Sequence, residues 1–277
     1  MVLLISCCGH DSTQMTRSEF LLKKYCPTIL EIVKKSKTNW TKIDSDFEEL
    51  LKDINIPQQT NLFGLMILVE RENQFAKDFL QFIDDLVIET LKIAEQKKKF
   101  REIITGKITN IKDWNYLNPI GELALLRKLT LNGYKLKNIE DKQKIPTSSP
   151  KDFLFQDTKK NEILIEVVNI HLDDSYASLD ELKDFLHAKT RVKIDKETDG
   201  LKGNNFDFIF YFQPILWNFN LSELNPYSNY FKNFASTFGR DVSKKFKTLG
   251  FCTFGRDSNG QFVFGEISSF YSNYVID

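Results

Sequence analysis

The stretch Gly121-Glu122-Leu123-Ala124-Leu125-Leu126, followed by Asn132-Gly133-Tyr134, Lys151-Asp152-Phe153 and Ile163-Leu164-Ile165-Glu166-Val167-Val168-Asn169, decides how this chain is read. One acid stands at the start of an apolar helix, a second opens a strand, and a third lies within the next, very hydrophobic strand. The residues around Glu166 describe a buried central strand, where an unpaired carboxylate is either protonated or met by a positive group. Asp152 and Glu166 fall on the two arms of an expected hairpin, 152–155 and 162–170, whose turn is the polar run Asp157–Asn161. The two acids can therefore face each other, and Glu122 can bring a third oxygen from the preceding helix. Two of the three have a plainer explanation. Glu122 suits the first turn of a helix and Asp152 suits a turn after Pro150, but Glu166 has no comparable structural excuse.

Outward from this stretch, the first ~110 residues are expected to be mainly helical. Arg17 to Lys37 carries helical spacing broken at Pro27, Ser45 to Leu51 is amphipathic, and Pro57 marks a loop. Asn73 to about Ile104 is expected as one long helix, with Lys97-Lys98-Lys99 near its C-terminal end, where cations suit the dipole. Gly106 to Asn118 is expected as a connector pinned by Trp114 and Tyr116. Ile120 to Leu131 is helical with Gly133 as its stop, and Tyr134–Lys137 alternates like a strand. Beyond the hairpin come a helix from Ser178 to Lys196 with a capping-box start and a strand at Phe206–Phe212. A helical stretch from Pro226 to Thr248 and a hairpin of 251–254 with 261–267 complete the chain. The fold class is α/β (α+β): a mixed central sheet flanked by helices, with a mainly helical N-terminal half at 1–110 and the sheet-bearing part at 111–277. The helical part is either a separate domain or an extension wrapped on the core.

The Gly-Glu opening of the helix, Leu129-x-x-x-Gly133-Tyr134 at its end, Asp152-Phe153 and Glu166 come in an order that resembles the PD-(D/E)XK nuclease superfamily over roughly 118–212. The leading Pro is displaced to Pro150, and the following helix carries Lys183, Lys189, Lys193 and Lys196. The resemblance implies a restriction-endonuclease-like core in which Glu122, Asp152 and Glu166 bind Mg²⁺ or Mn²⁺ beside a phosphodiester. It also implies a DNA or RNA substrate and, from where such folds commonly occur, a restriction or phage-defence setting. The family's lysine, two residues after the strand acid, is replaced here by Val168. Asn169 follows it but points to the opposite face. Either Lys189 or Lys193, spaced i and i+4 on one helix face, supplies the missing ammonium, or the domain keeps the fold as a non-catalytic module that binds nucleic acid or a protein.

Composition narrows the alternatives. With 38 basic and 38 acidic residues the formal net charge is zero, so a nucleic-acid surface has to be local. The segment Arg127–Lys151 is one candidate, holding seven cations against Glu140 and Asp141; Arg240, Lys244, Lys245 and Lys247 form a second. Cys7, Cys8, Cys26 and Cys252 form neither a metal-ligand pattern nor a disulfide framework, which points to free thiols in a reducing, cytoplasmic setting. Met1–Cys8 is too short for a signal peptide or span and reads as a strand at most, and no segment predicts a membrane partner. His10, His171 and His187 make no triad; His171 near Asp173 and Asp174 reads as a strand-end residue. GxxxxGK[ST] and GxGxxG are absent. A homodimer is one expectation, since nucleases cutting both strands are commonly two-fold.

Overall fold

Ile163–Val168 is apolar on both faces because it becomes a central strand with helices on both sides. β3 (Glu162–His171) pairs antiparallel with β2 (Lys151–Gln156) and parallel, from Ile163 to His171, with β4 (Ile209–Trp217). A strand covered on both faces loses the hydrophobic–polar alternation of an exposed sheet. The computed structural model describes residues 15–52, 61–94, 97–141, 150–172, 176, 178–198, 209–217, 221–237 and 246–272. Within them β1 (Lys135–Asp141), β2, β3, β4, β6 (Cys252–Arg256) and β7 (Phe262–Glu266) lie in that spatial order, and β5 (Phe246–Thr248) also pairs with β4. The fold is a mixed sheet flanked by helices.

Even and odd positions of β3 enter two different cores. Ile163, Ile165 and Val167 join one apolar cluster with Phe153, Phe155 and Trp217, whereas Leu164, Val168 and Ile170 join another with Leu182 and Leu186. The first face is covered by α7 (Leu117–Leu131) and, in the same cluster, by the N-terminal helices α1 (Arg17–Tyr25) to α6 (Lys98–Thr109). The second is covered by α8 (Leu179–Thr198), α9 (Ser228–Thr237) and α10 (Ile267–Ser272). The helical first part thus shares one continuous apolar core with the sheet. Glu89 with Arg127 and Asp78 with Arg256 add ion pairs across the same boundary.

The Pro27 break stands, separating α1 from α2 (Pro27–Lys35). α3 (Trp40–Leu50) begins earlier than expected. α4 (Leu62–Glu70), unanticipated, is buried almost all round and so shows no amphipathic period. The long helix from Asn73 is corrected to two. α5 (Gln74–Ile93) ends at Ala94, and α6 starts after Lys97, which has extended φ −136° and ψ 102°. The stripe of Phe79, Ile83, Leu86 and Thr90 reaches Lys97 and Arg101 if continued, so its phase fails there; Phe100, Ile104 and Ile108 begin a new stripe. The lysine run therefore opens a helix rather than closing one. Tyr116 is fully buried as expected, but Trp114 is 59% exposed and pins nothing. The expected helix to Thr248 ends at Thr237, and 246–248 is strand β5. Met1–Cys8, His10, Pro57, Asp173, Asp174, Arg240, Lys244 and Lys245 lie outside the described residues.

α7 ends as its sequence foretells. Gly133, at φ 84°, donates to the Thr130 carbonyl and Tyr134 to that of Leu129, a Schellman closure. Its other glycine is needed for closeness. A Cβ on Gly121 would stand 2.8 Å from Asn169 Oδ1 and 3.1 Å from both Ile215 and Trp217, while Trp217 Nε1 donates to that same Asn169 oxygen. Gly121→Ala gains about 1 kcal/mol of helix propensity, against about 1–3 kcal/mol for forcing a methyl into a packed layer. Net destabilisation of about 1 kcal/mol is expected in denaturant unfolding; a variant as stable as the wild type contradicts this packing.

Candidate active site

Asp152 and Glu166 meet where two strands part. The last paired rung of β2 and β3 is Phe153 opposite Ile165, so the next would set Asp152 opposite Glu166. There the ladder bonds are replaced by side chains: Val167 N–H donates to Asp152 Oδ2 at 2.7 Å, and Asp152 N–H donates to Glu166 Oε2 at 3.4 Å. Each carboxylate thus caps the backbone beside the other. Glu166 is 3% exposed.

An ammonium reaches Glu166 from the helix that covers this face. Val168 shares the face of Glu166 and is buried in the apolar layer that also contains Leu182 and Leu186 of α8. Two turns beyond Leu186, Lys193 reaches back to place Nζ 2.6 Å from Glu166 Oε1. Lys193 also lies 3.6 Å from Glu197, which forms an ion pair with Lys151. Lys151 is fully buried, its ammonium 5.8 Å from the Phe210 ring centroid. That corrects its place in the basic segment: Lys151 faces inward and offers phosphate nothing. A buried ion pair of this kind is weak evidence for stability; here it orders the helix turn that carries Lys193. Lys189, the other candidate, is exposed, with Nζ 5.3 Å from the Phe185 ring centroid.

α7 begins at Leu117, earlier than expected, so Glu122 lies in its second turn rather than its first; it comes from the opposite face, with Oε2 2.7 Å from Lys107 Nζ of α6. Lys107 also lies 3.3 Å from Glu140. Glu140 stands opposite Asp152 in the β1–β2 register, between Ile139↔Phe153 and Asp141↔Lys151. Its φ is +52°, in the left-handed region, and unlike Glu72 and Lys160 it lies inside a strand. Such a conformation costs on the order of 1–3 kcal/mol. One row across β1, β2 and β3 therefore carries Glu140, Asp152 and Glu166. Lys107 flanks the row from the helical first part, and Lys193 flanks it from α8.

Sequence reasoning named Glu122, Asp152, Glu166 and Lys193 and missed Lys107, Glu140 and Glu197. The i,i+4 spacing of Lys193 and Glu197 was the available signal. Lys107 had none, because the connector reading hid its helix. Of the basic segment, Arg127 pairs with Glu89, and Lys128 lies 3.6 Å from Glu266. His171 is a strand-end residue, 2.9 Å from Asn118 and stacked on Trp217. Burial and then Lys189 lower its pKa.

Electrostatics follow from this crowding. Burial, then Glu122 and Glu166, push the Asp152 carboxyl well above the usual range, against the opposing pull of Val167 N–H and Lys193. Glu166 is raised chiefly by burial, with Lys193 opposing. Burial works against the charge on Lys107 and on Lys193, but the carboxylates outweigh it and both pKa values rise. Among the described residues no three or more His, Cys, Asp or Glu side chains stand ready to hold an ion together, and a lysine meets Glu122 and another Glu166. Compared with protein-family models, with curated proteins and with solved structures, the chain matches none.

An acid with a raised folded-state pKa binds protons more tightly when folded. Its favourable contribution is complete below the ordinary carboxylate range and is lost as pH rises through the raised value. Asp152→Asn keeps an acceptor for Val167 N–H and removes the charge. At pH 7–8 the variant is expected to be more stable by on the order of 1 kcal/mol, a Tm rise of about 2–4 °C, with the gain vanishing below about pH 4. A thermal scan across pH checks this; a variant less stable at neutral pH contradicts the crowding.

Proposed function

We propose that this chain is a metal-dependent phosphodiesterase of PD-(D/E)XK type that cleaves nucleic acid, DNA in the first instance. The observation that carries the proposal is the 2.6 Å contact of Lys193 with Glu166 beside Asp152, which brings an ammonium to the strand acid where Val168 brings none. The donors suit the ion: Mg²⁺ and Mn²⁺ take carboxylate oxygens, burial and then Glu122 and Glu166 raise Asp152, and burial raises Glu166. Asp152, Glu166 and Glu122 would hold the metal. A bound divalent ion supplies Lewis acidity toward a phosphate oxygen and lowers the pKa of water.

The chain's own groups do the rest. Lys193 Nζ keeps its charge beside Glu166 and can donate to a phosphate oxygen or to an attacking water. Glu197, itself paired with Lys151, orients that ammonium along the helix. Among the described residues no helix is long and apolar enough to cross a membrane; the cytoplasmic setting, the defence role and a two-fold dimer belong to this proposal.

A second reading has its own support. Lysines already pair with Glu122 and Glu166, as suits a module that binds nucleic acid or protein without catalysis. Cleavage of supercoiled plasmid and single-stranded DNA in Mg²⁺ or Mn²⁺ separates the two. Cleavage that ends with chelator and falls about 10²–10³-fold in Lys193→Met is expected, the usual cost of losing one positioned charge-stabilising donor. Protein that binds metal yet stays inert on every substrate overturns catalysis and leaves the binding module.

A further inference from the structure

Lys107 has no part in the chemistry proposed above, yet it is half-buried between two acids, 2.7 Å from Glu122 and 3.3 Å from Glu140. It comes from α6, in the helical first part, and reaches the row of acids on β1–β3. The strained Glu140 is held at φ +52° within a strand, opposite Asp152, and it ends on this ammonium. Charges from every side converge here: Glu122 on α7, Glu140 on β1, Asp152 on β2, with Glu166 and Lys193 beyond Asp152. A compact ammonium among carboxylates occupies the kind of place a hard divalent cation takes.

We propose that Lys107 is the site's resident counter-ion and that a divalent metal enters only by displacing its ammonium from Glu122. Its removal deepens the reading above, on which the proposal rests, by making metal entry an exchange of one cation for another. Lys107 is thus a positioning residue that holds Glu122 and Glu140 beside Asp152 in the metal-free protein. It also gives the N-terminal helices a share in the site. Arg at this position keeps the charge but cannot yield as a compact point charge does.

The test is metal affinity, not turnover. Mn²⁺ binding is measured by calorimetry on full-length wild type, Lys107→Met and Lys107→Arg at one pH. The expected result is binding about 10–100-fold tighter in Lys107→Met, within the usual range for the coupling of two binding events, with no gain in Lys107→Arg. In wild type, acylation of Lys107 by a lysine-reactive reagent, read by mass spectrometry, is expected to rise when Mn²⁺ is added. This second measurement stands even where the Met variant fails to fold. Equal or weaker binding in Lys107→Met, or unchanged acylation while Mn²⁺ binds, overturns the inference alone. If no protein binds Mn²⁺, the reading of the acids as ligands fails and this inference fails with it.

Discussion

A carboxylate placed in the middle of a buried strand sets the terms for the rest of this protein. Glu166 cannot be hydrated where β3 lies between two helical layers, so its charge needs partners delivered through the fold. They arrive as the Asp152 N–H from the neighbouring strand and the Lys193 ammonium from α8. Asp152 then takes the Val167 N–H in return, and β2 and β3 part at that rung. A sheet that ends its pairing through two acid side chains has exchanged ladder bonds for carboxylates. Buried, clustered acids of this kind are more characteristic of functional sites than of frameworks.

The helical first part and the sheet depend on each other for the same reason. α7 approaches β3 closely enough that Gly121 leaves no room for a methyl, and this approach brings Glu122 to the row of acids. α6 packs beyond α7 and carries Lys107 to Glu122. The apolar cluster running from Leu21 to Phe254 holds both helices on the sheet face. On the other face, the buried Lys151–Glu197 pair fixes the end of α8, from which Lys193 extends. Two helical layers thus deliver two ammonium groups to one row of carboxylates. In a medium of low effective dielectric each such pairing is stronger than in water, and each unpaired charge is more costly.

How much of this was legible in the sequence depended on whether local physics or distant packing decided it. The hairpin, the Ser178 cap and the Gly133 stop follow from turn, capping and alternation rules, and all stand. Glu166 was legible because a charge between Ile165 and Val167 has no local excuse. Lys193 was legible as one of two lysines a helical turn apart; which one turns inward was set by α8 packing on the sheet. Lys107 and Glu140 were not legible. The first hung on a helix boundary at Lys97, where the apolar stripe slips phase, and the second on a backbone strain that composition does not record. α4 went unseen because a helix buried all round has no polar face to mark its period. The basic segment misled for a similar reason: Arg127, Lys128 and Lys151 find acids from distant parts of the chain.

The crowding of Asp152 against Glu122 and Glu166 is the physical core of the account, and its titration reports it directly. Carboxyl ¹³C shifts of Asp152, assigned with Asp152→Asn and followed by NMR across pH in metal-free protein, give its midpoint. The predicted result is a midpoint well above the ordinary aspartate value of ~3.9, falling when Mg²⁺ is added. A midpoint at or below ~4 in metal-free protein, unmoved by Mg²⁺, would mean that Asp152 is neither crowded by its neighbouring acids nor open to a metal ion, and would contradict the account.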